Sequence, residues 1–261
     1  LIIDDIQDNS DLRRGGPTAH LMYGVPAAIN AGTASYFLGE GLTRDMNLTT
    51  EQRLRVYELY FTCLRGAHVG QAIDINGLGD MMPSCLDSGD FSPMWEALCC
   101  CHRLKSGLPA SICARTGAVM GGADKSQEAA LGDYFLSLGL AFQIIDDVIN
   151  LKGFGFSLKT TAEDLREGKI TAPVIRALMR LADQPERQRW LWDQYQICAD
   201  ERDIGGMVEL IRGTGAFESC VDEALAAVED AWKLVDETVP ESFSKMSLRA
   251  FGWFVCKVRD Y

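Results

Sequence analysis

The chain has 261 residues, 47% of them hydrophobic, which is enough to bury one substantial core, and a single domain over 1–261 is expected. Its 25 lysines and arginines stand against 37 aspartates and glutamates, a net charge of −12, which excludes a non-specific electrostatic grip on nucleic acid or an anionic membrane. An acidic chain still takes an anionic ligand where bound cations invert the local field.

The sequence opens Leu1-Ile2-Ile3-Asp4-Asp5, an apolar run with no polar cap before it, so upstream helices are expected to be missing. Apolar positions then recur mainly at spacings of three and four, and the alternating β-branched runs of a sheet are absent. This predicts a small-residue-rich helix over 25–42, one over 50–75 opening at the capping sequence Thr49-Thr50-Glu51, and others over 93–119 and 127–151. A glycine-bearing loop over 152–168 follows, then helices over 171–181, 186–198, 204–212, 215–235 and 244–258. The fold class is all-α: one large helical bundle, whose natural binding site is a central cavity between facing helices.

Nine cysteines include the run Cys99-Cys100-Cys101 but no CxxC pairs, so they are expected to be reduced and packed as small hydrophobes. No signal peptide and no apolar run long enough to span a bilayer are seen, so no transmembrane segment is expected and the default location is cytoplasmic.

Two acidic clusters carry the chemistry. In Asp4-Asp5-Ile6-Gln7-Asp8, Asp4 and Asp8 leave the same face of a helix, where like charges destabilise unless a cation joins them. Oxygen ligands with no histidine or thiolate nearby favour magnesium, which completes its shell with water and phosphate oxygens. Taken alone, such a cluster is more often a solvated surface patch. The second cluster changes that balance. Asp146-Asp147 lies inside the apolar stretch from Phe142 to Asn150, with Asn150 on the face of Asp146. Buried carboxylates need partners, and a metal supplies one. Clusters on separate helices of one bundle can hold divalent ions between them, an arrangement suited to a diphosphate. Arg13, Arg14, Lys105, Lys159 and Lys169 provide cations near these clusters, Arg as a fork for phosphate oxygens and Lys as a point charge.

At these residues the chain resembles the trans-prenyl diphosphate synthases (the polyprenyl synthetase family), in particular the eukaryotic and fungal geranylgeranyl diphosphate synthases. The resemblance rests on Asp4 through Asp8 with Arg13-Arg14-Gly15-Gly16-Pro17, on Gly70-Gln71-Ala72-Ile73-Asp74, on Lys105-Ser106, on Phe142 to Asn150, and on Asp164 to Lys169 with Thr171 and Pro173. It implies a magnesium-dependent prenyltransferase that condenses an allylic diphosphate with isopentenyl diphosphate, three magnesium ions per site, and a homodimer or higher oligomer. It further implies Asp4, Asp8 and Asp146 as metal ligands with Asp5 and Asp147 in support. Arg13, Lys105, Ser106, Gln143, Lys159 and Lys169 would hold the allylic diphosphate, and Arg14 the isopentenyl diphosphate. Asn150 stands where many relatives carry a third aspartate, as in the geranylgeranyl subgroup. His20, His68 and His102 are not required as bases, and His20 reads as a packing or loop residue.

Alternatives stay open. The same motifs suit the prenyltransferase domain of a fungal bifunctional terpene synthase, linked covalently to a terpene cyclase domain. A cyclase of the same fold fits less well, because cyclases pair one aspartate-rich motif with a different metal motif. A non-catalytic partner subunit would be expected to lose one of the two acidic clusters.

Overall fold

The computed structural model describes residues 1–44, 46–152 and 162–258. The chain divides into two compact units, Leu1–Glu58 and Leu59–Tyr261.

The first unit holds α1 (Ile2–Gln7), a hairpin of two short strands, β1 (Leu12–Arg13) and β2 (Gly16–Pro17), then α2 (Ala19–Tyr23), α3 (Val25–Ser35), α4 (Gly39–Arg44) and the start of α5 (Thr50–Asn76). The hairpin pairs Leu12 with Pro17 and Arg13 with Gly16 around a two-residue turn. Arg14 (φ 54) and Gly15 (φ 79) both take left-handed backbone in that turn, as the tight hairpin turn with matching strand twist requires. Gly32 lets α1 lie directly on α3: a Cβ there would sit 2.8 Å from Ile3 Cδ1.

The single helix expected over 25–42 is instead two. Thr33 and Ser35 turn their hydroxyls back onto the carbonyls of Ile29 and Ala31, which weakens a helix end. The amides of Tyr36, Phe37 and Leu38 then bond three residues back, to Thr33, Ala34 and Ser35, and this tightened turn ends α3 before Gly39 opens α4. The capping sequence before α5 works as expected, but its partner is Gln52. Gln52 N–H donates to Thr49 Oγ1 at 3.2 Å and Thr49 N–H to Gln52 Oε1 at 3.0 Å, a reciprocal capping box.

The second unit continues α5 and adds α6 (Met82–Ser88), α7 (Ser92–His102), α8 (Leu108–Met120), α9 (Lys125–Lys152), α10 (Glu163–Glu167), α11 (Ala172–Arg180), α12 (Pro185–Gln196), α13 (Ile204–Gly213), α14 (Ala216–Thr238) and α15 (Phe243–Trp253). Its core is built on α9, which buries Tyr134, Leu138, Ile144, Ile145, Val148 and Leu151. α8, α11 and α14 pack around it with Ile112, Val174, Ile175, Leu178, Phe217, Cys220 and Val228. A helix surrounded on most sides is apolar almost all round. That corrects one expectation: α9 is, by length and composition, apolar enough to cross a membrane, though most of its apolar stretch is buried inside the unit as a core helix's would be.

The helix expected over 93–119 keeps one path but not one geometry. Between α7 and α8 the segment Arg103–Gly107 widens into a π turn, a form that tends to occur at functional sites. A second π turn, Phe254–Val258, follows α15. All nine cysteines are free thiols, as expected.

Candidate active site

In the first unit, the last turn of α1 carries the leading acidic cluster. Asp8 N–H donates to Asp4 O at 2.9 Å, so the helical turn is intact and Asp4 and Asp8, both half-buried, leave it on one face. Asp5 points elsewhere. It is buried, and its Oδ1 accepts Arg13 Nε at 2.8 Å together with Arg13 Nη2; Asp4 lies 3.7 Å from the same guanidinium. The hairpin thus brings Arg13 back onto α1, and Asp5 serves to seat it. A guanidinium carries more N–H donors than this carboxylate uses, so Arg13 retains donors for an anion. Arg14, in the exposed hairpin turn, is set apart from that pair.

In the second unit the π turn presents Lys105 and Ser106. Lys105 Nζ donates to Asp74 Oδ2 at 2.6 Å, and Ser106 Oγ donates to Gln143 Oε1 at 3.0 Å. The segment from Gly70 to Asp74, the Lys-Ser pair and α9 therefore meet at one place. Gln143 and Asp146 stand three residues apart on α9, on a common face, and both are half-buried. Asp147 faces inward. Its Oδ2 accepts His102 Nε2 at 3.2 Å and Ala172 N–H at 3.0 Å, all within the core.

Beside Ser106 opens a cavity of about 510 Å³, with apolar walls. α8 contributes Ala110, Cys113 and Ala114, and α9 contributes Phe135, Leu138 and Phe142. Phe135 stacks on Phe251 at 6.4 Å between ring centroids, closing the end nearest α15. The cavity has the chemistry of a hydrocarbon chain's berth, with the Ser106 hydroxyl at its polar edge.

The remaining expected residues have their own partners. Asn150 lies four residues after Asp146 on α9, on the same face; its Oδ1 accepts Asp164 N–H at 3.4 Å and its backbone carbonyl accepts Ala162 N–H at 2.9 Å, which ties the start of α10 to the end of α9. Lys169 Nζ lies 3.0 Å from Glu167. Lys159 lies outside the described residues. His20 sits in α2, with its Nδ1 buried and unbonded among the described residues. Two roles escaped the sequence: Asp74 as the partner of Lys105, and His102 as the partner of Asp147. Asp74 lay inside a segment already singled out, whereas nothing local marks His102.

Each unit carries donors suited to a hard cation: Asp4 and Asp8 in the first, and Asp146 in the second, offer only oxygen, the chemistry magnesium takes. Among the described residues no three Asp, Glu, His or Cys side chains form a group able to hold a metal ion by themselves.

The profile of the polyprenyl synthetase family matches residues 1–210, and the chain belongs to that family. A short chain isoprenyl diphosphate synthase of Methanocaldococcus jannaschii is 36% identical over 195 residues, which are 73% of this chain and 55% of the relative. A geranylgeranyl pyrophosphate synthase of Aspergillus flavus is 31% identical over 243 residues, 90% of this chain and 64% of the relative. The chain thus spans between half and two thirds of the length of these two relatives. The crystal structure of a geranylgeranyl pyrophosphate synthase from Corynebacterium glutamicum, complexed with isoprenyl diphosphate and magnesium, superposes with a TM-score of 0.80 at 25% identity, covering 99% of this chain and 75% of that one.

Proposed function

We propose that the chain is a magnesium-dependent trans-prenyltransferase that joins an allylic diphosphate to isopentenyl diphosphate, with geranylgeranyl diphosphate as its product. One observation carries the reading: in the second unit Ser106 lines an apolar cavity and is bonded to Gln143, which stands one helical turn before Asp146, while Lys105 is the neighbouring residue of the same π turn. A hydroxyl at the edge of an apolar berth, with an ammonium on the adjacent residue, suits a molecule with a diphosphate head and a hydrocarbon tail. The fungal relative supports the geranylgeranyl product.

Asp4 and Asp8 of the first unit, and Asp146 of the second, would each be metal ligands. Magnesium, when bound, supplies Lewis-acid stabilisation of charge on the diphosphate oxygens. Lys105 holds the head group as a point charge, and Arg13 and Lys169 add cations. Ser106, whose hydroxyl donates to Gln143 and lines the cavity, would stand near the edge where head meets tail. The allylic C–O bond breaks with its electron pair leaving on inorganic pyrophosphate. The double bond of isopentenyl diphosphate attacks the resulting cation, and the proton released restores a new double bond and leaves with pyrophosphate. Phe135, Leu138 and Phe142 keep water from the cation. We further propose that the protein works as a homodimer; exposed Phe61, Val69 and Ile75 on α5 offer apolar area for a second copy.

The test is incubation of the full-length protein with magnesium, labelled isopentenyl diphosphate and allylic primers of increasing length. The expected result is elongation to a twenty-carbon diphosphate that stops when a chelator is added. Absence of any elongated product, with every primer, overturns the reading.

A further inference from the structure

The π turn that carries Lys105 and Ser106 is pressed by two helices through glycines that the reaction scheme leaves without a role. On α5, a Cβ added to Gly70 would lie 2.7 Å from the Lys105 amide nitrogen and 2.9 Å from the Leu104 carbonyl carbon. On α9, a Cβ added to Gly139 would lie 2.6 Å from Gly107 Cα and 2.9 Å from both Gly107 N and Ser106 O. Gly107 is equally tight, since its Cβ would meet Leu136 O at 2.7 Å. These neighbours are backbone atoms and cannot swing aside as a side-chain tip can. Helical glycine is destabilising relative to alanine, and none of these three has a positive φ, so close approach is what glycine provides here. Cys101 adds a clasp: its thiol donates to Gly70 O at 3.4 Å, and burial pushes its pKa up to about 12, keeping the proton on sulfur.

We propose that Gly139 and Gly70 are positioning residues, which set where the Lys105–Ser106 backbone stands and thereby where the ammonium and hydroxyl meet the diphosphate. This rests on the function proposed above. Gly66 supplies an internal contrast one turn earlier on α5. A Cβ there would meet Leu108 Cδ2 at 2.2 Å, the far end of a flexible side chain, and its three nearest neighbours are all side-chain atoms.

The experiment compares full-length wild type with Gly139→Ala, Gly70→Ala and Gly66→Ala. It measures kcat and KM for the allylic diphosphate, the dissociation constant of inorganic pyrophosphate in magnesium, and Tm. Gly139→Ala and Gly70→Ala are expected to have a Tm below that of Gly66→Ala and, in protein kept folded at an assay temperature well under that Tm, to lower kcat/KM at least tenfold and weaken pyrophosphate binding. Gly66→Ala should keep kcat/KM within twofold of wild type. Should Gly139→Ala fail to fold, Gly70→Ala carries the comparison. Kinetic constants of Gly139→Ala and Gly70→Ala that match those of Gly66→Ala overturn the proposal. Wild type that turns nothing over overturns the functional reading, and this inference with it.

Discussion

A single carboxylate oxygen, Asp147 Oδ2, accepts His102 Nε2 at 3.2 Å and the Ala172 amide at 3.0 Å. Both side chains are buried, so this atom fastens the end of α7 and the start of α11 to α9 beside Asp146. His102→Ala leaves the carboxylate with one partner in the core. Leaving a buried group unsatisfied costs about 1–3 kcal/mol. Urea denaturation of the variant should show that loss, and an unchanged midpoint would contradict the structural role given to the pair.

The two aspartates that open the first cluster should separate by assay. Asp4→Ala removes a proposed metal ligand on a half-buried face, and turnover is expected to fall about a hundredfold or more with little change in Tm. Asp5→Ala instead unseats Arg13 from a buried acceptor, so its first effect is on stability, roughly 1–3 kcal/mol. Measuring both quantities on both variants checks the division. Equal effects on turnover without any change in stability would show that Asp5 also faces the substrate.

Lys105 is held by Asp74 across 2.6 Å. Lys105→Ala removes the proposed charge-assisted contact to the diphosphate, expected to be worth about 1.5–3 kcal/mol, or roughly tenfold to a hundredfold in kcat/KM. Asp74→Asn keeps the shape but loosens the ammonium, and a smaller rise in KM is expected. Steady-state kinetics over allylic diphosphate concentration settles the order; a larger effect for Asp74→Asn than for Lys105→Ala would reverse the assignment.

Thiol burial sets an alkaline limit. Burial pushes Cys99 and Cys256 up to about 11 and Cys101 and Cys220 up to about 12. Their folded pKa values exceed the unfolded one, so the folded state holds these protons more tightly. That contribution is fully present below about pH 9 and is lost as pH rises toward 11 and 12, at up to about 1.4 kcal/mol per pH unit for each thiol. Denaturation midpoints across pH 8 to 11 should fall accordingly, and Cys220→Ala should flatten the slope. A slope untouched by that substitution would place the alkaline loss elsewhere.

Thr49→Ala tests the helix start. Loss of the reciprocal box with Gln52 should lower stability by about 1 kcal/mol, read by thermal denaturation.

The all-helical class, the long helices and the acidic face of Asp4 and Asp8 were all legible in the sequence, because they depend on spacing along one helix, and spacing is a local property. The helix expected over 25–42 misled because hydroxyls turned back onto the backbone ended it, a competition that apolar periodicity does not register. Asp74 and His102 went unassigned for a different reason: their partners lie far along the chain, and only packing brings them within hydrogen-bond reach.

By itself, then, the sequence determined which residues offer the oxygen and cationic groups suited to a hard cation and a diphosphate, since that chemistry belongs to side-chain type and helical pitch. Only the tertiary structure decided which aspartate of each adjacent pair turns inward. Residues adjacent on a helix point about 100° apart, and the neighbours that α7, α11 and the Arg13 hairpin provide select Asp147 and Asp5 for the interior.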